Sequence, residues 1–266
     1  MSGSKNINWS PIDYKNASVL AREVGDEIFS RLEWITLQPK VVLDAGCGTG
    51  ELSARLQKHY PQAQIIALDS AKQMIEYAKA QTSQISCMCA DAGKLPLQDQ
   101  SVDMIFANFL FSWHEDVKAL LSEWRRVLRP DGLLIFTALG PDTFKEWRHV
   151  LDQDAIPVLA DMHDIGDLMV ELGFSDPVLD VDHYTMVYRE QEQMLNELHA
   201  TGMLLSHPEK INVNEMPPVE DGTWPVTFEI VFTHAFIPAE SDELSASSDG
   251  IVRVPLSHLR KQLRSR

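Results

Sequence analysis

Short apolar runs alternate with segments of helical periodicity over residues 38–140. The apolar runs are bounded by Gly, Pro or polar residues, which is typical of buried strands in a parallel sheet. The segments between them repeat apolar residues every three or four positions, as amphipathic helices do. The predicted strands are 40–46, 63–70, 85–91, 101–109 and 132–139, and the predicted helices are 50–60, 71–81 and 115–128. This alternation predicts a doubly wound α/β sheet with helices on both faces.

Further elements flank this core on both sides. Residues 14–37 carry one apolar stripe at helical spacing, with Gly25 as a candidate break point, so residues 1–37 are predicted to form a helical lid. Residues 141–238 are predicted to add substrate-side helices and closing strands. The helical patterns there are 140–153, 162–174 and 189–201, and the strand patterns are 175–188 and 224–238. Residues 239–266 predict a polar linker followed by a basic tail.

Composition excludes several classes of protein. With 266 residues, 44% of them hydrophobic, the chain has enough apolar material for a full core. The formal net charge of −16 argues against nucleic acid as the main partner, because phosphates attract Lys and Arg. The three cysteines lack a C-x-x-C spacing, so neither a disulfide framework nor a metal site is predicted. No apolar run reaches the roughly 18 residues of a membrane span, and no signal segment is visible, so we expect a cytoplasmic protein.

A glycine-rich turn follows the first predicted strand in the stretch VVLDAGCGTGELSARL, residues 41–56. Gly46, Gly48 and Gly50 lie where a doubly wound sheet binds ligands, beyond the carboxyl end of a strand. A dinucleotide fingerprint would place its last glycine at position 51, which is Glu51, and the Gly-Lys-Ser/Thr of a phosphate-binding loop is absent. Close approach to the backbone without a phosphate-binding pattern favours a nucleoside that lacks phosphates.

Three acids mark the ends of the first three predicted strands. Asp69 follows the glycine turn by about 20 residues, where a carboxylate can accept hydrogen bonds from both ribose hydroxyls. Asp91 ends the third strand, within reach of an adenine edge, and Asp44 ends the first, where it can order the turn or offset a cation. Each acid alone is also consistent with helix capping. Three in succession beside the glycines favour a ligand site.

These motifs, taken in order and spacing, resemble those of class I S-adenosylmethionine-dependent methyltransferases. The motifs are VLDAGCGTG, IIALDSAKQMI, CADAGKLPL, VDMIFANFLFSW and EWRRVLRPDGLLIFTAL. The resemblance implies a seven-stranded, mostly parallel, Rossmann-like sheet and S-adenosylmethionine as cofactor. It implies that the methionine part contacts Asp44, Gly46 and Gly48, the ribose Asp69, the adenine Met74, Asp91 and Ala92, and that Asn108 forms the floor near the sulfonium. Gly50 and Ser70 are further expected cofactor-binding residues.

A narrower resemblance involves segments on both sides of these motifs in the sequence. IDYKNASVLAREV, GPDTFKEWR, ADMHDIGDLMVELGF and WPVTFEIVFTHAFIP are similar to segments of the biotin-pathway malonyl-[acyl-carrier protein] O-methyltransferases. The resemblance implies methylation of the free carboxylate of a malonyl thioester, carried by acyl carrier protein or by coenzyme A, and implies that Tyr14 covers the cofactor. A carboxylate is already a nucleophile at neutral pH, so no general base is required. Arg148 is the expected partner of the malonyl carboxylate, and His163 is a second candidate for contact with the substrate.

Two other functions stay open at this point. One is a methyltransferase that acts on another small molecule, such as a quinone precursor, because its cofactor-binding half would carry the same motifs. A cofactor-binding assembly factor without methyltransferase activity is the third hypothesis. Departures from the family pattern at 156–159 and 202–222 concern the acceptor more than the cofactor.

Overall fold

The structure is a computed structural model and describes residues 9–81 and 84–239. Its helices in that part of the chain are α1 (Pro11–Ala17), α2 (Val19–Leu32), α3 (Glu51–His59), α4 (Lys72–Gln81), α5 (Val117–Val127), α6 (Met162–Glu171) and α7 (Gln191–Ala200). Its strands are β1 (Val41–Ala45), β2 (Gln64–Asp69), β3 (Ser86–Cys89), β4 (Val102–Ala107), β5 (Leu128–Leu139), β6 (Ser175–Tyr188) and β7 (Trp224–Phe236).

The strands form one sheet in the order β3-β2-β1-β4-β5-β7-β6. The first five strands in this order pair in parallel, whereas β7 runs antiparallel to both of its neighbours. The predicted doubly wound, mostly parallel, seven-stranded fold is therefore confirmed. Because the chain moves outward from β1 to β3 and then crosses to β4, strand order reverses between β1 and β4. Ligands of such sheets bind at the carboxyl ends of the strands beside this switch point.

Successive residues of β1 face opposite sides of the sheet, and both sides are buried. Val42 belongs to the hydrophobic cluster that includes Ile28 and Leu32 of α2, while Leu43 belongs to the cluster that includes Trp124 of α5. The strand therefore reads as a continuous apolar run rather than as an alternating one. Truncating a fully buried side chain such as Trp124 to Ala is expected to cost about 3–5 kcal/mol.

The break in the N-terminal helix lies at Ser18, so the prediction of a break at Gly25 is wrong. Ser18 separates α1 from α2 and has a ψ of 39°, outside the helical range. Gly25 lies inside α2, where a Cβ would stand 2.7 Å from Cδ2 of Leu52. Glycine at this position therefore allows α2 to pack closely against α3.

Residues 141–150 form consecutive turns, so the prediction of a helix over 140–153 is also wrong. Phe144 has a φ of +58°, which a regular helix does not accommodate. Its amide donates to the carbonyl of Thr227 at 2.8 Å, and Nε1 of Trp147 donates to the carbonyl of Pro225 at 2.6 Å. The apolar spacing that suggested a helix instead reflects packing of this segment against β7.

The predicted division at residue 140 separates two parts that share one sheet. β5, from the first part, pairs with β7, from the second, from Leu133 opposite Phe236 to Leu139 opposite Ile230. The predicted linker and tail over 239–266 lie outside the described residues, apart from Ala239. None of the helices in the described part of the chain has the length and apolar character needed to cross a bilayer.

Candidate active site

A cavity of about 710 Å³ opens at the carboxyl ends of four neighbouring strands, β3, β2, β1 and β4. Most of the residues predicted to bind a cofactor line it, namely Gly46, Gly48, Asp69, Ser70, Met74, Asp91, Ala92 and Asn108. A smaller adjoining cavity is lined by Asp44 and shares Tyr14, Gly46 and Asn108 with the larger one. Gly50 lines neither of the two. Side chains spread over 64 residues of sequence thus meet at one rim, as the strand-end pattern predicted.

The glycine turn has the left-handed backbone conformation that other residues avoid. Gly46, Gly48 and Gly50 have φ values of 76°, 52° and 80°. The amides of Gly46 and Cys47 both donate to the carbonyl of Leu68, which fixes the turn on β2. At Gly50 a Cβ would lie 2.9 Å from Cβ of Ala78, so this glycine serves the packing of the turn against α4. Gly46 and Gly48 are the two that present bare backbone to the cavity.

Asp69 connects the glycine turn to the end of β2. Its Oδ2 accepts from the amide of Gly48 at 2.9 Å, and its Oδ1 accepts from the amide of Ala71 at 2.8 Å. Burial raises the pKa of this carboxyl above its usual range, and the bonds from the backbone amides oppose that rise. The carboxylate also lines the larger cavity, where it can accept a further hydrogen bond from a hydroxyl donor. Asp69 is therefore held rigidly by the main chain while still able to accept from a ligand.

Asp44 is a buried carboxyl at the end of β1. It is 2% exposed, and its Oδ2 accepts from the hydroxyl of Ser53. Burial raises its pKa to about 7; the bond from Ser53 opposes this rise and the nearby Asp69 adds to it. A carboxyl with this pKa is close to half ionised at neutral pH, so a positively charged ligand in the smaller cavity would draw it into the ionised form.

Cys47, between the two glycines, behaves as a small buried side chain. Burial and the neighbouring Asp44 raise the pKa of its thiol well above the usual range, so the thiol stays protonated and weakly nucleophilic at neutral pH.

Tyr14 of α1 lies over the glycine turn. A Cβ added to Gly48 would stand 3.4 Å from Cε1 of the Tyr14 ring, which is ordinary van der Waals contact. Burial and the negative charges of Asp69 and Asp44 raise the pKa of the phenol, so Tyr14 stays protonated and acts as a hydrogen-bond donor throughout the physiological range. It lines both cavities at the point where they meet.

Asn108, at the end of β4, has both polar atoms of its side chain engaged by protein. Its Nδ2 donates to the carbonyl of Ala21 at 2.9 Å, and its Oδ1 accepts from the hydroxyl of Thr137 at 2.9 Å. The residue therefore ties α2 to the sheet and forms a fixed floor between the two cavities. One N–H of its amide remains available to a ligand.

Both apolar and polar side chains line the end of the cavity near β3. Met74 and Ala92 are buried there, 2% and 4% exposed, and offer apolar surface on which a planar ring can stack. Oδ1 of Asp91 accepts from the amide of Gly93 at 2.8 Å, which fixes the turn after β3. His114 also lines this end, and burial lowers its pKa, which keeps the imidazole neutral near pH 7.

The opposite wall of the cavity is apolar and aromatic, and pattern reasoning missed most of it. It is formed by Trp9, Trp113, Met186, Tyr188, Leu198, Met203 and Phe228. Met186 and Tyr188 are two positions apart on β6, so they face the same side of the sheet. Phe228 of β7 pairs with Tyr184, two positions before Met186, and therefore lies on the same face. Phe111, which precedes Trp113 in the same predicted motif, is instead fully buried and stacks on Phe136.

A glycine of the loop after α7 holds two of these aromatic rings in place. Trp9 and Trp113 meet edge to face with ring centroids 5.4 Å apart. A Cβ on Gly202 would stand 2.0 Å from Cη2 of Trp113 and 2.6 Å from Cη2 of Trp9. Only a glycine fits here, so the aromatic wall depends on this position.

Two predicted substrate contacts lie outside both cavities. Arg148 is exposed, and its Nε and one terminal nitrogen approach the carbonyl of Thr143 at 3.4 Å. His163 is exposed in the first turn of α6, where Asp161 accepts both from its amide at 2.7 Å and from its Nδ1 at 2.9 Å. Arg148 lies within the turns that replace the predicted helix, and His163 belongs to a helix cap, so neither lines either of the two cavities in this structure.

Negative charge dominates the lining of the larger cavity. Asp69, Asp91, Glu115, Asp116 and Glu197 line it, together with a single lysine, Lys94. Clefts lined by one sign of charge concentrate ligands of the opposite sign. The site is thus suited to a cationic ligand.

Comparisons with known proteins agree with this geometry. Residues 43–136 match the model of the methyltransferase domain family. The malonyl-[acyl-carrier protein] O-methyltransferase of Methylovorus sp. is 36% identical over 85% of this chain and 84% of its own. The protein of the same name from Gallionella capsiferriformans is 37% identical over 85% and 87%. Among solved structures, Haemonchus contortus phosphoethanolamine N-methyltransferase 2 in complex with S-adenosyl-L-methionine shares the fold, with a TM-score of 0.55 at 18% identity over 86% of this chain and 56% of that one. The chain therefore belongs to the malonyl-[acyl-carrier protein] O-methyltransferase family of S-adenosylmethionine-dependent methyltransferases.

Proposed function

We propose that this protein transfers the methyl group of S-adenosylmethionine to the free carboxylate of a malonyl thioester, with acyl carrier protein as the carrier. One observation carries the proposal: in a member of this family, a rim of acids and bare glycines and an apolar aromatic wall enclose the same cavity. The rim suits a cationic nucleoside, and the wall suits the thioester.

The residues of the rim fit the parts of the cofactor in their spatial order. Met74, Ala92 and Asp91 suit the adenine, and Asp69 suits the ribose hydroxyls because it is an acceptor that lines the cavity. Gly46, next to Asp44, suits the methionine part, where a backbone without a Cβ permits close approach. When bound, the cofactor supplies a methyl group on a positively charged sulfur.

The chemistry asks for position and dryness more than for acid–base groups. The attacking carboxylate needs no deprotonation at neutral pH, and the reaction cancels its charge against that of the sulfonium. A site that excludes water favours such a step, because both charges are better solvated in water than their neutral products. The aromatic wall supplies the apolar surroundings.

Tyr14 is the protein group best suited to orient the acceptor. Its hydroxyl stays protonated and reaches the junction of the two cavities, so it can donate a hydrogen bond to a carboxylate oxygen. It cannot serve as a base, because its pKa is raised. In this proposal the sulfonium itself balances the charge of the malonyl group, and Arg148 and His163 have no part in binding it.

The product of the reaction is a neutral methyl ester on a thioester carrier. We place it in the early part of biotin synthesis, where masking the carboxylate would let fatty-acid elongation enzymes accept the chain. The resemblance of the sequence to the biotin-pathway family supports this placement. Coenzyme A is the alternative carrier for the same acceptor.

The direct test is methyl transfer from labelled S-adenosylmethionine. Purified protein is incubated with malonyl, succinyl and acetyl thioesters of acyl carrier protein, and with malonyl-coenzyme A. We expect label in an alkali-labile ester on the malonyl carrier and none on the acetyl carrier, which has no free carboxylate. Tight binding of S-adenosylhomocysteine without methylation of either malonyl thioester would refute the acceptor but leave the cofactor assignment intact.

A further inference from the structure

Arg22 lines the smaller cavity, and no role has been assigned to it so far. It lies on α2 and is half-buried, and Asp44, Gly46 and Glu51 line the same cavity. Among the described residues, it is the only arginine that lines either of the two cavities at the rim. Every other charged side chain lining the smaller cavity is acidic, so Arg22 alone supplies positive charge there.

The guanidinium of Arg22 is only partly engaged by protein. One terminal nitrogen donates to the carbonyl of Lys15 at 2.9 Å and to the hydroxyl of Ser18 at 3.0 Å. Within residues 9–81 and 84–239 no carboxylate comes within ion-pair distance of it, although Glu51 lines the same cavity. Four other arginines in the described part of the chain, Arg31, Arg55, Arg126 and Arg129, each contact at least one acid. Arg22 thus keeps donors free in a cavity.

We propose that Arg22 binds the α-carboxylate of the methionine part of S-adenosylmethionine. This inference rests on the cofactor of the proposed function and assigns one of its ends. The α-ammonium and α-carboxylate are attached to the same carbon, so a site that binds one of them must also provide a partner for the other nearby. Asp44 supplies the acid for the ammonium, and Arg22 is the cation in the same cavity. A guanidinium also matches a carboxylate in geometry, since it can donate two parallel hydrogen bonds.

The same side chain links the cofactor to the N-terminal helices. Its bonds to Lys15, in the last turn of α1, and to Ser18 hold the junction between α1 and α2. Tyr14 lies one turn away on α1 and covers the glycine turn. A carboxylate bound to Arg22 would therefore fix the helix that carries Tyr14 over the cofactor.

The test compares ligands that differ in the carboxylate alone or lack the amino acid altogether. Calorimetry with S-adenosylhomocysteine, decarboxylated S-adenosylhomocysteine and 5′-methylthioadenosine is run on the wild type, Arg22→Gln, Arg22→Lys and Arg31→Gln. Glutamine can still donate to the Lys15 carbonyl but carries no charge. Arg31 lies on the same helix and lines neither cavity, so Arg31→Gln controls for the loss of one positive charge.

We expect Arg22→Gln to weaken the binding of S-adenosylhomocysteine about 10- to 100-fold, the range of a charge-assisted hydrogen bond. The affinity for the two ligands without a carboxylate should change by less than about threefold. Arg22→Lys should lose less, because it keeps the charge. Equal losses for all three ligands would make Arg22 a structural residue and overturn the inference, as would an unchanged affinity for S-adenosylhomocysteine. If the wild type binds none of the three, the proposed cofactor itself fails.

Discussion

Gly48 donates its amide to Oδ2 of Asp69 at 2.9 Å, so the turn after β1 and the acid that ends β2 form one hydrogen-bonded unit. The predicted backbone contacts and the predicted ribose contact are therefore not independent. A substitution of Asp69 that removes its oxygens therefore removes a ligand acceptor and one of the bonds that hold the glycine turn at the same time.

Asp69→Ala is expected to weaken the binding of S-adenosylhomocysteine by at least about 100-fold. It removes the acceptor for the ribose and leaves the amides of Gly48 and Ala71 without their side-chain acceptor. Asp69→Asn keeps one acceptor oxygen and should lose less. Calorimetry measures both. Asp99→Asn, an exposed acid paired with Arg126, is the control and should bind normally. Wild-type affinity in Asp69→Ala would remove this residue from the cofactor site.

Cofactor affinity is expected to rise with pH up to about 7 and then to level off. Asp44 has a pKa of about 7 in the folded protein without ligand, and the cofactor ammonium favours its ionised form. Below pH 7 a proton must leave before the pair forms, so affinity falls by up to about tenfold per pH unit. Calorimetry in buffers of different ionisation enthalpy should detect the released proton. Asp44→Asn should remove the dependence near pH 7; a residual slope at the acid end is assigned to Asp69.

The same shift predicts how the stability of the cofactor-free protein changes with pH. The folded pKa of Asp44 lies above its unfolded value of about 4, so folding takes up a proton between these two values. The contribution of this group to stability is complete below about pH 4 and is lost as pH rises to about 7. Denaturant titrations of wild type and Asp44→Asn over that range should diverge, with the variant gaining relative stability as pH rises. Parallel curves would contradict the assignment of the shift.

Much of the fold and many residues of the cofactor rim can be predicted from the sequence, because the patterns that mark them lie within single strands and turns. β1 is buried on both faces, so it reads as a continuous apolar run, and the carboxyl ends of parallel strands meet at one edge whatever their order. Asp69 and Asp91 therefore converge although 22 positions apart. The turn glycines also indicate their own conformation, because a φ of 76°, as at Gly46, is more accessible to glycine than to any other residue.

The aromatic wall, which we propose contacts the acceptor, depends on tertiary packing, so its residues could not be predicted from local sequence. The wall joins Trp113, Tyr188 and Phe228, which come from three elements widely separated in the chain. No local pattern marks a buried aromatic as cavity-lining rather than core, as the neighbours Phe111 and Trp113 illustrate. The charge of Arg148 predicts a contact with the carboxylate, but the bonds of Phe144 and Trp147 hold this segment on β7, and Arg148 lines neither cavity.

Arg148→Ala is accordingly expected to leave the KM for the malonyl thioester within about twofold of wild type. The side chain is exposed and contacts only the carbonyl of Thr143 in the described part of the chain. Exposed substitutions of this kind usually change stability by less than about 0.5 kcal/mol. Steady-state kinetics with saturating S-adenosylmethionine measure the effect. A tenfold rise in KM at unchanged cofactor affinity would return Arg148 to the acceptor site.

Tyr14→Phe is expected to lower kcat about 10- to 100-fold while cofactor affinity changes by less than about threefold. The variant keeps the ring against Gly48 and loses only the hydroxyl that orients the acceptor. Because Tyr14 stays protonated, the wild-type rate should show no limb from its ionisation up to about pH 9. Single-turnover methyl transfer separates this effect from product release. Loss of cofactor binding in Tyr14→Phe would instead make the hydroxyl a cofactor contact.

Gly202→Ala tests the aromatic wall, and Gly222→Ala is its matched control. Both glycines have left-handed backbones, with φ of 73° and 79°, so both substitutions cost about 1 kcal/mol of backbone strain. A Cβ at Gly202 would overlap Trp113 and Trp9, whereas nothing lies within 4 Å of a Cβ at Gly222. We therefore expect only Gly202→Ala to raise the KM for the malonyl thioester, by about tenfold or more, because its rings must move. Thermal unfolding of both variants separates this effect from the shared strain. Equal KM values in the two variants would show that Trp9 and Trp113 do not shape the acceptor wall.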